Sequence, residues 1–175
     1  MVSIKKVEVS EVDALLAFSK ETFYEFFAGW NEPKNMDAYS ALAFTPEKML
    51  SELSNTNSEF YFALDEDVIV GYIKLNYNDA QTDIQDENTL EIERIYVSGD
   101  YHGKYIGKQL LDFVINIARS KQFNYVWLGV WENNQKAIAF YKRNGFETFS
   151  SHDFMLGDER QTDLLMRKSL LNPPR

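Results

Sequence analysis

The chain has 175 residues, 45% of them hydrophobic and 26% charged, enough apolar matter for one sizeable core and about one domain's worth of sequence. It has no cysteine, which excludes disulfides, thiolate-held metal and a cysteine nucleophile, and its two histidines, His102 and His152, lack metal-ligand spacing, so no metal is expected. A net charge of −9 repels nucleic acid and favours cationic partners, above all where the charge is focused in a cleft.

The N-terminus alternates and then turns helical with acidic residues inside it, unlike a secretory signal. No apolar run approaches the roughly 20 residues a bilayer crossing needs, so a soluble, cytoplasmic protein with no membrane partner is expected. Residues 3–9 carry Ile4, Val7 and Val9 and predict a short strand. Ser10, three residues before Asp13, is placed to cap a helix whose apolar stripe is Leu15, Leu16, Phe18, Phe23, Phe26 and Phe27. The following segment, GWNEPKNMDAYSALAFTP, loses periodicity and reads as an aromatic linker in which Trp30 or Tyr39 lines a pocket or simply packs. Thr45 and Pro46 then form a cap and first-turn pair for a second helix.

EFYFAL and VIVGYIKL flank an acidic turn and predict a hairpin, and the polar stretch DAQTDIQDEN reads as a loop. LEIERIYV follows, with a phase break: Leu90 and Ile92 share one parity, Ile95 and Val97 the other. Either a bulge around Glu93 and Arg94 restores the phase, or both faces are buried. Glu91 and Glu93 are charges in an apolar strand and must reach a cleft or find partners. In the turn YHGKYIG, Gly103 and Gly107 either make a tight strand-to-helix turn or, beside the unpaired N–H groups of a helix start, cradle an anion such as pyrophosphate. A helix from Gly107, the strand FNYVWLGV, a helix capped by Asn134 and ended by Gly145, and a hairpin turning at Gly157, Asp158 and Glu159 complete the chain. The order predicts an α/β fold, a mixed sheet with helices on both faces. Residues 1–171 are expected to form a single domain, and 172–175 a frayed tail.

Two blocks in this order resemble the GNAT superfamily of N-acetyltransferases. The first is LEIERIYV followed by His102, Gly103, Lys104, Tyr105, Ile106 and Gly107, against a motif of Gln or Arg, two residues, Gly, one residue, then Gly or Ala. His102 and Tyr105 depart from it, and the Tyr fits if its backbone needs no positive φ and its side chain points away. The second is Asn134, Ala137, Phe140, Tyr141 and Gly145-Phe146, in the pattern NxxAxxFYxxxGF. Within the superfamily, stretches such as ETFYEFFAGWN, WLGVWENNQKAIAFYKRNGF and GDERQTDLLM are similar to PaiA-type spermidine and spermine N-acetyltransferases.

The resemblance implies a mostly antiparallel sheet of about seven strands flanked by about four helices. It implies acetyl-CoA as cofactor, with CoA as product, and a polyamine or other small cationic amine as partner; a homodimer is left open. The backbone of Ile95, Tyr96 and Val97 would supply donors to the cofactor carbonyls and the tetrahedral oxyanion. His102, Gly103, Lys104, Tyr105, Ile106, Gly107 and Lys108 would hold the phosphates, and Asn134, Ala137 and Tyr141 the pantetheine arm. Tyr141 would protonate the leaving thiolate, or serve as a core or cofactor contact. Glu93 would take the amine's proton, or pair with a cation. Trp30, Tyr72, Glu91, Glu93, Asp158 and Glu159 are the candidate substrate contacts, with Glu25, Glu32, Asp79 and Trp131 behind them. Acetylation of a protein N-terminus or another small amine, and acyl-CoA binding without catalysis, are the alternatives.

Overall fold

The computed structural model describes residues 2–29 and 32–171, so Trp30 and the expected tail at 172–175 lie outside the described residues. Strand β1 (Val2–Lys6) leads through a 3-10 turn (Val9–Glu11) into helices α1 (Val12–Phe27), α2 (Pro33–Ala43) and α3 (Pro46–Ser54). The hairpin β2 (Ser58–Asp65) and β3 (Val68–Asn76) comes next, then β4 (Thr89–Val97), α4 (Ile106–Ser120), β5 (Tyr125–Trp131), α5 (Gln135–Arg143), β6 (Glu147–Leu156) and β7 (Glu159–Ser169).

Five α-helices stand where about four are expected, because α2 occupies the stretch read as an aperiodic linker. Its buried positions, Asn35, Met36, Ser40 and Ala43, do recur at helical spacing. Two of the four are polar, which hides the stripe from a hydrophobicity reading, while Pro33 starts the helix where a missing N–H costs nothing. Ser10 caps nothing. The entry to α1 is organised by Glu8 and Glu11 in a reciprocal capping box.

The seven strands form one sheet in the order β1-β2-β3-β4-β5-β7-β6. Every neighbouring pair is antiparallel except β4 and β5, which run parallel and pair only from Thr89–Ile92 against Tyr125–Leu128. Beyond Ile92 the two strands separate, each held by its outer neighbour alone. Helices α4 and α5 cover one face through Leu110, Leu111, Val114, Ile138 and Tyr141, and α1, α2 and α3 cover the other through Leu15, Phe23, Met36 and Met49. Leu15 and Met49 are fully buried, each contributing about 2 kcal/mol of transfer free energy.

The phase break in β4 is a bulge. Lys74 faces Arg94 while Leu75 faces Ile92, leaving Glu93 as the extra residue. Leu90, Ile92, Ile95 and Val97 therefore all turn to the α4 side, and Glu91, Glu93 and Arg94 to the other.

Candidate active site

The opening between β4 and β5 exposes main chain in the middle of the sheet. Ser98 donates its N–H to the Val70 carbonyl on the β3 side at 2.9 Å, and strand alternation sends Tyr96 the same way. Ile95 and Val97 consequently present their N–H and C=O groups to the gap. His102 Nε2 meets the Val97 carbonyl oxygen at 2.8 Å, tying the following loop to the end of β4. The Tyr96 ring packs on the α1 side, stacked 5.8 Å from Tyr72. Burial, then the neighbouring phenols of Tyr72 and Tyr39, hold its hydroxyl well above the ordinary tyrosine range, and Tyr141 adds to this from across the gap.

The loop from β4 to α4 is held at its start by Glu25 of α1, whose carboxylate accepts from the Gly99 amide. Among the described residues no acceptor meets the amides of Gly103, Lys104, Tyr105, Ile106, Gly107 or Lys108, and the first N–H of α4 paired within the chain is that of Gln109, to the Tyr105 carbonyl. Six successive free donors at a helix start form a concave anion cradle, which fits a pyrophosphate. Gly103 has φ +81 and open space where a side chain would stand. Lys104 lies over the Tyr101 ring at 4.8 Å, Lys108 bonds Asp112, and the Ile106 side chain anchors the turn in the core.

Tyr105 corrects one expectation: its φ is +63, in the left-handed region, although its side chain does point away, 77% exposed. A non-glycine residue there costs on the order of 1–2 kcal/mol, and a β-branched one more. Calorimetry is expected to show Tyr105→Val weakening acetyl-CoA binding about five-fold, with Tyr105→Gly within about two-fold of the parent. Equal affinity for all three would mean that the φ at this position does not shape the cradle.

Helix α5 aims its first turn at the gap. Asn134 accepts from the Ala137 amide at 3.1 Å, so its Oδ1 caps the helix while its side-chain NH2 stays available. Tyr141 is buried between Phe140 and Phe146, with ring centroids 5.4 and 5.8 Å away. Its hydroxyl has no hydrogen-bond partner among the described residues, and burial alone pushes it above the ordinary tyrosine range, so it stays protonated at neutral pH.

On the α1–α3 face the β4 carboxylates are already committed. Glu93 bonds Lys74 at 2.9 Å and Arg94 at 3.1 Å, and Glu52 of α3 bonds the same two cations. Burial raises the Glu93 carboxyl, but Arg94 and Lys74 outweigh it and hold the group below the ordinary glutamate range. That suits a permanently ionised partner rather than the proton acceptor expected of it. Glu91 is buried and accepts from Asn76, from the Thr82 amide and from the Thr82 hydroxyl, leaving nothing for a substrate. The polar loop that supplies Thr82 thus folds inward, its Gln81 accepting from Trp127 Nε1 at 2.8 Å. Tyr72 is fully buried beneath α1, which removes it as a substrate surface. Asp158 and Glu159 sit at the β6–β7 turn, bound to Lys34 and Asn35 of α2.

Beside the gap, on the same face, β5 is open to solvent at one residue. Gly129 is exposed although its neighbours Leu128 and Val130 are buried, and it follows the last β5 residue paired with β4. Around it stand Trp131, 6.0 Å from Phe27 of α1, and Tyr39 of α2, stacked on Phe23 at 5.1 Å. Asp163 of β7 lies opposite Trp131, its Oδ2 3.3 Å from where a Gly129 side chain would begin. It makes no hydrogen bond or ion pair among the described residues, and burial, offset in part by His152, raises its carboxyl to about 6. In the sequence Asp163 stands just before the apolar run that begins at Leu164, which hides it as a strand residue. Alternation back from buried Leu165 puts it on the same face.

The acetyltransferase (GNAT) family model matches residues 18–146. The chain is 40% identical over 173 residues, 98% of its length and 100% of the relative's, to an uncharacterized N-acetyltransferase in the pepI 3′ region of Lactobacillus delbrueckii subsp. lactis. It is 26% identical over 161 residues, 89% of its length and 95% of the relative's, to the spermidine N(1)-acetyltransferase of Thermoplasma acidophilum. The crystal structure of the PaiA N-acetyltransferase of Thermoplasma acidophilum in complex with coenzyme A has the same fold, with TM-score 0.77 and 24% identity over 97% of this chain and 99% of that one. Free amides at the α4 start, main chain turned into a split sheet and a capped α5 beyond it are the parts such a cofactor needs, and the chain belongs to the GNAT family as an acetyl-CoA-dependent N-acetyltransferase.

Proposed function

We propose that the acetyl acceptor is a primary amine of spermidine or spermine, attacking the thioester directly in a ternary complex. The observation that carries this reading is the group of side chains around exposed Gly129, beside the gap. Phe27, Tyr39 and Trp131 offer aromatic walls for methylenes, and unpaired Asp163 offers a carboxylate for an ammonium. The similarity to a spermidine N(1)-acetyltransferase over most of both chains supports it.

When bound, acetyl-CoA supplies the activated acetyl group. Free amides from Gly103 to Lys108 hold its phosphates, Asn134 steadies the pantetheine arm, and the gap-facing groups of Ile95 and Val97 orient it. Tyr141 donates its proton to the departing thiolate. Glu93, held between Lys74 and Arg94, fixes the charged floor under β4.

CoA release measured with spermidine, spermine, an aminoglycoside and a short peptide tests the assignment. A polyamine is expected to exceed the peptide in kcat/KM by about 100-fold. Preference for the peptide or the aminoglycoside would overturn it.

A further inference from the structure

We propose that Asp163 is the catalytic base: it receives the acceptor's ammonium and takes its proton before attack. The proposal rests on the cationic acceptor read above and adds the group that neutralises it.

The placement argues for this role. A primary ammonium cannot attack a thioester until it loses a proton, and the acceptor of that proton must stand beside the reacting carbon. The thioester belongs where β4 and β5 part, just past the Ile92–Leu128 pair. Asp163 Oδ2 leans over Gly129, the next residue along β5, and the absence of a side chain at Gly129 leaves the path between them open. A charged side chain drawn largely out of water ordinarily finds partners. On this face Glu52, Glu93, Lys74 and Arg94 pair with one another and Glu91 is enclosed by Asn76 and Thr82, whereas Asp163 has no partner among the described residues.

The groups facing Asp163 leave its proton affinity to burial. From β6 comes His152, opposite it in register but bonded to Asp83 at 3.2 Å, and from α2 comes the Tyr39 phenol, kept protonated by burial. From β4 come Arg94 and Glu93, which offset each other. A carboxyl titrating at about 6 is ionised at neutral pH and a far better proton acceptor than Glu93, whose two cations hold it below the ordinary range.

The step balances. One ammonium proton moves to Asp163, and the freed lone pair forms the C–N bond at the thioester carbon. The C–S bond then breaks with its electron pair on sulfur, the nitrogen's surplus proton reaches the thiolate by way of Tyr141, and Asp163 returns its proton to water.

The test compares Asp163→Asn and Asp163→Glu with the parent, using whichever amine of the panel the parent acetylates. If that amine is not a polyamine, the substrate reading falls and Asp163 is judged with the amine found. Asp163→Asn is expected to lower kcat/KM for the amine by about 100-fold or more while acetyl-CoA affinity stays within about two-fold. It should abolish the acidic limb of the kcat/KM profile near pH 6, which Asp163→Glu retains. Activity within about three-fold of the parent with the limb intact would overturn the proposal.

A readout independent of substrate is the carboxyl's own titration, followed by carbon-13 resonance. It is expected near 6, and a value in the ordinary range around 3.8 would overturn the proposal. Stability supplies the control for a merely structural role. Because the folded value lies above the unfolded one, the group's contribution to stability is full below pH 3.8 and is lost as pH rises through about 6. Asp163→Asn should therefore melt above the parent at pH 8 and lose that advantage below pH 4. A lower melting temperature at pH 8 would assign Asp163 to the fold instead.

Discussion

Lys74→Met is expected to cost about 3–5 kcal/mol of folding stability and to lower Tm by about 10 °C. Lys74 and Arg94 balance Glu52 and Glu93 in a compartment where the side chains are only 6%, 14%, 14% and 20% exposed, in that order. Removing one cation leaves two carboxylates sharing one guanidinium with little access to water, and the Met side chain that replaces Lys keeps the packing. The cost is therefore electrostatic. Pairing the change with Glu52→Gln restores neutrality and should recover at least about half of the loss, which a denaturant titration of the four proteins resolves. A single-variant cost below about 1 kcal/mol would show that the quartet is solvated. The sign with pH follows from Glu93, whose folded value lies below the ordinary 4.5. Its share of stability is present above that value and is lost as pH falls through the folded one.

Tyr141→Phe is expected to reduce kcat by about 100-fold or more, with acetyl-CoA affinity within about two-fold and little loss of stability. The ring's contacts with Phe140 and Phe146 survive the change, and among the described residues the hydroxyl has no partner to abandon. On the proposed mechanism, what disappears is the proton donor to the departing thiolate, kept in its acid form by burial. A structural tyrosine of this kind would tolerate phenylalanine, so unchanged turnover across pH would remove the acid role.

Much of this arrangement was legible in the residues. The phase break between Ile92 and Ile95 narrowed β4 to a bulge or two-faced burial, and the bulge is what gathers Glu91, Glu93 and Arg94 on one face. Asn134 and Gly145 bound α5 as their types require. Three features were hidden for different physical reasons. Helix α2 buries asparagine and serine along with methionine and alanine, so its stripe is not hydrophobic. Glu91 had either a cleft or a partner to reach, and the partner was hidden because Thr82 comes from a loop that is polar throughout. Asp163 is identified only by what fails to pair with it, and pairing is settled by tertiary neighbours, not by local sequence.

The split between β4 and β5 divides the sheet into two hydrogen-bonded blocks, β1-β2-β3-β4 and β5-β7-β6, joined through one short parallel pairing that ends at Ile92 and Leu128. On the proposed placement, a pantetheine arm lying along Ile95 and Val97 would take the place of the missing rungs and act as an eighth strand that closes the sheet. Occupancy and cohesion would then be thermodynamically linked. At a free concentration one hundred times Kd, acetyl-CoA would add about 2.7 kcal/mol to the stability of the whole chain.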